Sequence, residues 1–299
     1  MIAIVYNVWR RPPTQVLQAF GVSGPATPLS GGRNLCFAAG NVVFKPSDDD
    51  AESQWVGQLL SKLSDSQPTD ANYRIVKPRP LANDATTFVY EGWTAFGLLP
   101  GRDGPTGHFA DLLQISQSFH HDVAALVSEK PSFIGKRGHR WDEADLVTWN
   151  EKDLDDVPAV NAELLAYFDA PLTELQRMMK PLTSDVPSQL IHGDLTGNVL
   201  FDDEGVAPPG IIDVVCYWRP AAYAEAIVVA DGLAWHAQGR DLVELYGTDE
   251  LRLQLLVRAL YWRCITFAID SDMDWIRGHI AKSDYPGAVG VLRDIMASI

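Results

Sequence analysis

Gln189-Leu190-Ile191-His192-Gly193-Asp194-Leu195-Thr196-Gly197-Asn198-Val199-Leu200-Phe201, followed after a turn by Ile211-Ile212-Asp213, is the stretch that decides how this chain reads. Two short apolar runs flank Asp202-Asp203-Glu204-Gly205, a cluster of turn formers, so the pattern predicts a hairpin. That hairpin presents Asp194, Asn198 and Asp213 at its ends. Two carboxylates and a carboxamide suit phosphoryl transfer. One acid can take a proton from an attacking hydroxyl, while an Asn and a second Asp offer the hard oxygens that Mg²⁺ prefers.

Working outward, the chain differs on the two sides. After residue 220 it reads as helix over 221–236, 249–270 and 287–299. Residues 163–180 are helical in pattern, interrupted by Pro171. Phe109, Leu112, Leu113, Phe119, Val123 and Leu126 recur at helical spacing. The first hundred residues read mostly as strand. Runs at 35–38 and 42–45 are joined by Gly40-Asn41, a tight-turn pair, and Pro46 stops the second. Ser47 then caps a helix with Asp50 as its capping-box partner. Trp55, Val56, Leu59, Leu60 and Leu63 form one apolar stripe. Further strands are expected at 73–77 and 86–96, with a turn at Asn83-Asp84. Pro and Gly gather near 95–105, which places the boundary between residues 1–97 and 98–299. The fold class is α+β: a small antiparallel sheet with one helix, then a larger, mostly helical part.

Composition narrows the function. The 299 residues are 46% hydrophobic and 21% charged, as in an ordinary globular protein. The net charge of -15 comes with no Lys/Arg-rich run, which argues against a nucleic-acid partner. Cys36, Cys216 and Cys264 are far apart and odd in number, so reduced, buried thiols are expected. Residues 1–8 are apolar, but Arg10 and Arg11 follow the run and no small-residue cleavage site is present, unlike a signal peptide. No segment reaches the roughly 18 apolar residues of a membrane span. The expected location is the cytoplasm.

The ordered set His192-Gly193-Asp194, Asn198 and Ile212-Asp213 resembles the catalytic loop of the aminoglycoside phosphotransferase and choline kinase superfamily, whose members share the protein-kinase fold. The resemblance implies a two-lobed kinase-like architecture, with a nucleotide-covering sheet before residue 98 and catalytic and acceptor-binding helices after it. It implies ATP as co-substrate, Mg²⁺ as cofactor, and a small hydroxylated metabolite as acceptor. It makes Asp194 the base, Asn198 and Asp213 metal ligands, and His192 structural support. Upstream, Leu29-Ser30-Gly31-Gly32-Arg33-Asn34 resembles the phosphate-covering loop, with Gly31 and Gly32 letting backbone amides approach phosphate. Lys45 stands where the family has its phosphate-binding lysine, and Glu52 is its candidate partner. Thr94, Ala95 and Phe96 fall where the family's hinge meets adenine.

Two departures stand out. Asp194 and Asn198 are four steps apart, one fewer than in relatives, so Gly197 is expected to adopt unusual backbone angles that keep Asn198 facing Asp213. After Asp213 the chain reads Val214-Val215-Cys216-Tyr217-Trp218-Arg219-Pro220, which suggests a different acceptor side. Asp142 and Asp231 are candidates to meet a substrate amine, against a role on a helix surface. Arg219 would disfavour a strongly cationic acceptor if it pointed into the site. His120, His121, Trp141, Trp149 and Trp235 read as packing or surface residues. Three other readings compete. A metal-dependent phosphoesterase needs a His/Asp cluster, yet of the seven histidines only His192 sits with the acids. A protein kinase needs an Asp-Phe-Gly run at Asp213. A catalytically inactive kinase-like protein that binds nucleotide or a partner is the main alternative.

Overall fold

The computed structural model describes residues 11–29, 35–158, 160–183, 185–202, 204–270 and 273–299, without the side chains of 273 and 274. The amino-terminal elements are α1 (Thr14–Ala19), β1 (Thr27–Pro28), β2 (Phe37–Ala39), β3 (Val42–Pro46), α2 (Asp50–Ser66), β4 (Arg74–Ile75), β5 (Val89–Tyr90), β6 (Trp93–Gly97) and β7 (Arg102–Asp103). There follow α3 (Phe109–Leu126), α4 (Arg140–Thr148), α5 (Ala162–Tyr167), α6 (Asp169–Met178), β8 (Gln189–His192), β9 (Val199–Phe201), β10 (Gly210–Ile211) and β11 (Cys216–Arg219). The chain closes with α7 (Ala221–Trp235), α8 (Arg240–Tyr246), α9 (Glu250–Ala268), α10 (Met273–Ile280) and α11 (Tyr285–Ser298). The class is α+β, as expected. Two compact units result: the described residues up to Arg102 with Leu200–Ile212, and Asp103–Val199 with Asp213–Ile299.

In the first unit a five-stranded sheet runs β1-β2-β3-β6-β5. Ala39 pairs with Val42 across Gly40-Asn41, and Gly40 takes the positive φ of 60° that this two-residue turn demands. Phe37, Ala39, Val42, Phe44, Trp93 and Ala95 turn one face of the sheet onto Val16, Leu17 and Phe20 of the α1 region. The expected strand at 86–96 is instead a hairpin, β5 against β6, because Glu91 (φ 49°) and Gly92 (φ 73°) both enter the left-handed region of a primed turn. Helix α2 starts later than expected. Asp49, not Ser47, is its N-cap and accepts from the Glu52 amide at 2.8 Å, while the Ser47 hydroxyl goes to Ser53. The sequence pattern also does not foretell the partner of β4. It pairs in parallel with β10, which lies far along the chain, Gly210 opposite Arg74. The Arg74 guanidinium seals the join by donating to the Pro208 carbonyl at 2.6 Å.

The second unit is built on α7 and α9, which pack on each other, with α3 and α11 against α7 and α4 and α6 against α9. Residues 253–268 of α9 are all buried. A helix apolar all round is an internal helix, so the few charged groups it carries need internal partners. The 163–180 stretch breaks at Phe168, between α5 and α6, and not at Pro171. Phe168 is fully buried against Phe267 and Tyr285. Pro171 falls in the first turn of α6, where a missing N–H leaves no helical bond unmade. Among the described residues no helix is long and apolar enough to cross a membrane. The three cysteines form no disulfide.

Candidate active site

Strand β8 lies against β11, with His192 opposite Cys216 and Gln189 opposite Arg219. The ladder extends one residue, since the Gly193 N–H donates to the Val215 carbonyl at 2.9 Å. Only glycine fits there, because a Cβ on Gly193 would sit 2.4 Å from the Tyr217 ring. The His192 imidazole is fully buried, and its Nδ1 accepts from the Asp194 N–H at 3.2 Å. His120 of α3 lies behind it, its Nε2 accepting from the His192 N–H at 2.9 Å and its Nδ1 donating to the Ser116 carbonyl at 2.7 Å. That pair of bonds demands the neutral imidazole. Burial, reinforced by His192, lowers the His120 pKa from 6.5 to about 3. The two histidines thus aim the backbone at Asp194.

Asp194 emerges from this support with its side chain 40% exposed. Asn198 Nδ2 donates to the Asp194 carbonyl at 2.7 Å and to its Oδ2 at 3.2 Å. The shorter loop closes through the Asn198 N–H, which donates to the Leu195 carbonyl at 3.0 Å. Gly197 does not supply the expected unusual angles, since its φ is not positive. The four-step spacing suffices for one turn, and Asn198 is turned to Asp194 by its own amide. Oδ1 of Asp194 meets a residue that the pattern reading missed: Arg263 Nη2 of α9, at 2.9 Å. Arg263 also grips Asp231 of α7, Nε to Oδ1 at 2.8 Å and Nη2 to Oδ2 at 2.5 Å. Asp231 Oδ2 accepts from the Thr196 hydroxyl at 2.9 Å. Burial opposes the charge of Arg263, but Asp231 and then Asp194 outweigh it, and the guanidinium pKa is raised above its ordinary value. The signal in the sequence was weak: Asp231 shares its apolar helical run with Glu225, and Arg263 is one of three arginines in α9, with Arg252 and Arg258.

Asp213 is exposed and holds φ at 49°, an uncommon conformation for a non-glycine residue that often marks a functional position. It lies two residues before the Val215 tie to Gly193. Asn198 uses its amide nitrogen on Asp194, which leaves Oδ1 as a hard donor. With the Asp213 carboxylate, this set fits Mg²⁺, which is typically held by one or two protein oxygens plus substrate phosphates. Among the described residues no three His, Cys, Asp or Glu side chains gather into a metal cluster of their own.

The remaining expected residues lie in the first unit. Lys45 is half-buried near the end of β3, opposite Thr94, and Glu52 stands in the first turn of α2. Thr94, Ala95 and Phe96 do not offer free backbone to a base. They are interior to β6, with Thr94 and Phe96 opposite Lys45 and Val43, and the Ala95 carbonyl accepts from the Arg79 N–H at 2.8 Å. Strand β6 ends at Gly97, and the Leu98 N–H still donates to the Asn41 carbonyl at 2.8 Å, so a hinge would begin beyond that bond. Gly31 and Gly32 lie outside the described residues.

The residues expected to select the acceptor are engaged internally. Arg219 is buried and fixed by Asp145, with Nη2 to Oδ2 at 2.6 Å, and by Glu151, and it stacks on Trp149 at 4.7 Å. Asp142 accepts from the Gly135 and Arg137 amides and from Arg137 Nε. Asp231 is paired with Arg263 as described. All three are buried.

The sequence matches the phosphotransferase enzyme family over residues 42–246. No curated protein sequence matches the chain. Among solved structures, a microcompartment-associated aminopropanol kinase aligns with 95% of this chain and 97% of its own at 13% identity, TM-score 0.58. A spectinomycin phosphotransferase in complex with ADP and spectinomycin gives the same coverage at 15% identity, TM-score 0.58. An aminoglycoside phosphotransferase from Alicyclobacillus acidocaldarius aligns over 97% and 96% at 15% identity, TM-score 0.53. At these identities the likeness is one of fold.

Proposed function

Given that the chain belongs to the phosphotransferase enzyme family, we propose that it transfers the γ-phosphate of ATP to a hydroxyl of a small molecule, with Asp194 as the base. The observation that carries this reading is the state of the Asp194 carboxylate. It is gripped on one side by Arg263 and Asn198, yet 40% exposed on the other, where an acceptor hydroxyl can reach it. In the reaction Asp194 takes the hydroxyl proton as the oxygen attacks the γ-phosphorus, and Asn198 holds the carboxylate oriented. Asn198 Oδ1 and Asp213 would hold Mg²⁺, which when bound neutralises charge on the phosphates. Lys45, supported by Glu52, and the amides around Gly31 and Gly32 are assigned to the triphosphate. The adenine contact is reassigned from 94–96 to the backbone following Gly97.

Relatives of this fold act on aminopropanol and bind spectinomycin, which supports a small acceptor rather than a protein. The engaged acids Asp142 and Asp231 remove the argument for an amine, so neutral polyols belong in the screen beside amino alcohols and aminocyclitols. The absence of a disulfide among the three cysteines and the use of ATP support a cytoplasmic site of action. The test is ADP release from Mg·ATP, alone and with each acceptor, by wild type and Asp194→Ala. A general base contributes about 10²–10⁴ in rate, so the variant should lose at least about 10²-fold while still binding Mg·ATP. Wild-type turnover by folded Asp194→Ala would refute the assignment.

A further inference from the structure

We infer that Arg263 and Asp231 are positioning residues of the reaction, holding the Asp194 carboxylate and its loop in the geometry that receives the acceptor. The inference rests on Asp194 being the base.

Arg263 projects from α9, whose neighbouring positions 253–268 are all buried, and Asp231 projects from the equally apolar α7. Burying such a pair carries a desolvation cost that apolar residues of similar volume would avoid. A pair that served only to join two helices would end at the ion pair, and this one does not. Arg263 presents Nε and Nη2 side-on to Asp231, and the same Nη2 reaches Asp194 Oδ1 at 2.9 Å. Asp231 Oδ2 then accepts from Thr196 at 2.9 Å, two residues further along the loop. One charge pair therefore grips the loop at two residues. The guanidinium is itself held, with Trp262 at 4.7 Å and Trp141 at 5.7 Å from its central carbon.

The charges add to the case. Two carboxylates and one guanidinium leave a single net negative charge. Asp231 holds Arg263 bidentately and is 9% exposed, against 40% for Asp194. Asp194 therefore keeps a single Arg bond that orients it, while Asp231 carries most of the pairing. Fixing the base matters because a misplacement of about 1 Å at a reacting group can cost about 10²-fold in rate.

Arg263→Met alone would strand Asp231 in the core and can unfold the chain. The informative variant is Arg263→Met with Asp231→Asn, which removes both charges and leaves an acceptor for Thr196. Thermal melting, Mg·ATP binding, and kcat and KM for ADP release with water as acceptor are read for this variant, Arg263→Lys, Asp194→Asn and wild type. The expected result is a folded paired variant with unchanged Mg·ATP affinity and KM and a kcat lower by about 10²-fold. Arg263→Lys, which keeps the charge but not the three-bond fork, should give an intermediate kcat. A folded paired variant with wild-type kcat, or with raised KM and unchanged kcat, would overturn the inference. If the paired variant does not fold, wild-type kcat in Arg263→Lys overturns it. If Asp194→Asn itself turns over normally, the base assignment fails and the inference falls with it. Loss in Asp194→Asn beside full activity in the paired variant refutes the positioning role alone.

Discussion

The buried His120 predicts a specific acid sensitivity. Its Nδ1 proton is committed to Ser116, and its Nε2 lone pair accepts the His192 N–H at 2.9 Å. A second proton on Nε2 would point at that N–H, so the folded state resists it, and the pKa falls from 6.5 to about 3, with burial as the largest cause. The unfolded chain binds this proton near pH 6.5 and the folded chain does not until about pH 3. Stability from this group is therefore complete above the unfolded value and is lost as the pH drops through that window. At 1.36 kcal/mol per pKa unit, lowering the pH from 7 to 5 should cost about 2 kcal/mol through His120 alone. Urea unfolding followed by tryptophan fluorescence at pH 7, 6 and 5 measures it, with His120→Gln as the non-titrating reference. Carboxylates and the other histidines contribute alike to both proteins, so the difference in pH slope isolates His120. Wild type should lose about 2 kcal/mol more than the variant between pH 7 and 5. Equal slopes would mean that the imidazole is charged or solvated, and the neutral tautomer behind the Asp194 loop would be wrong.

Gly193→Ala drives a methyl into the Tyr217 ring, which is buried beneath the Arg137 guanidinium. It should cost about 1–3 kcal/mol by denaturant unfolding and lower ADP release by displacing Asp194. Asp49→Ala should cost about 1 kcal/mol as a lost N-cap, whereas Ser47→Ala should be nearly neutral, and the reverse order would restore Ser47 as the cap. Lys45→Ala and Asp213→Ala should each shrink the Mg·ATP-induced rise in melting temperature, Asp213→Ala most when Mg²⁺ is limiting. Unchanged shifts in both would place the nucleotide elsewhere.

How much was legible follows from the range over which each signal acts. The sequence alone determined the helices α3, α7, α9 and α11, the Gly40-Asn41 hairpin, and the short loop that joins Asn198 to Asp194. Apolar periodicity, turn residues and a short ordered motif are read from neighbours along the chain. Where two local signals competed, the sequence was insufficient. Ser47 and Asp49 can both cap a helix, and the register of α2, fixed by packing Gly57 against Phe88, selects Asp49. Pro171 resembles a breaker, but burial of Phe168 between Phe267 and Tyr285 puts the break three residues earlier. Tertiary structure alone decided the pairing of Arg74 with Pro208, 134 residues apart, and of Arg263 with Asp194, 69 apart. A guanidinium finds a carboxylate in the core only after helices have packed and turned the two toward each other, and no local pattern encodes that rotation. For the same reason Arg219 and Asp231, which from sequence could have met a substrate, are already neutralised inside the fold.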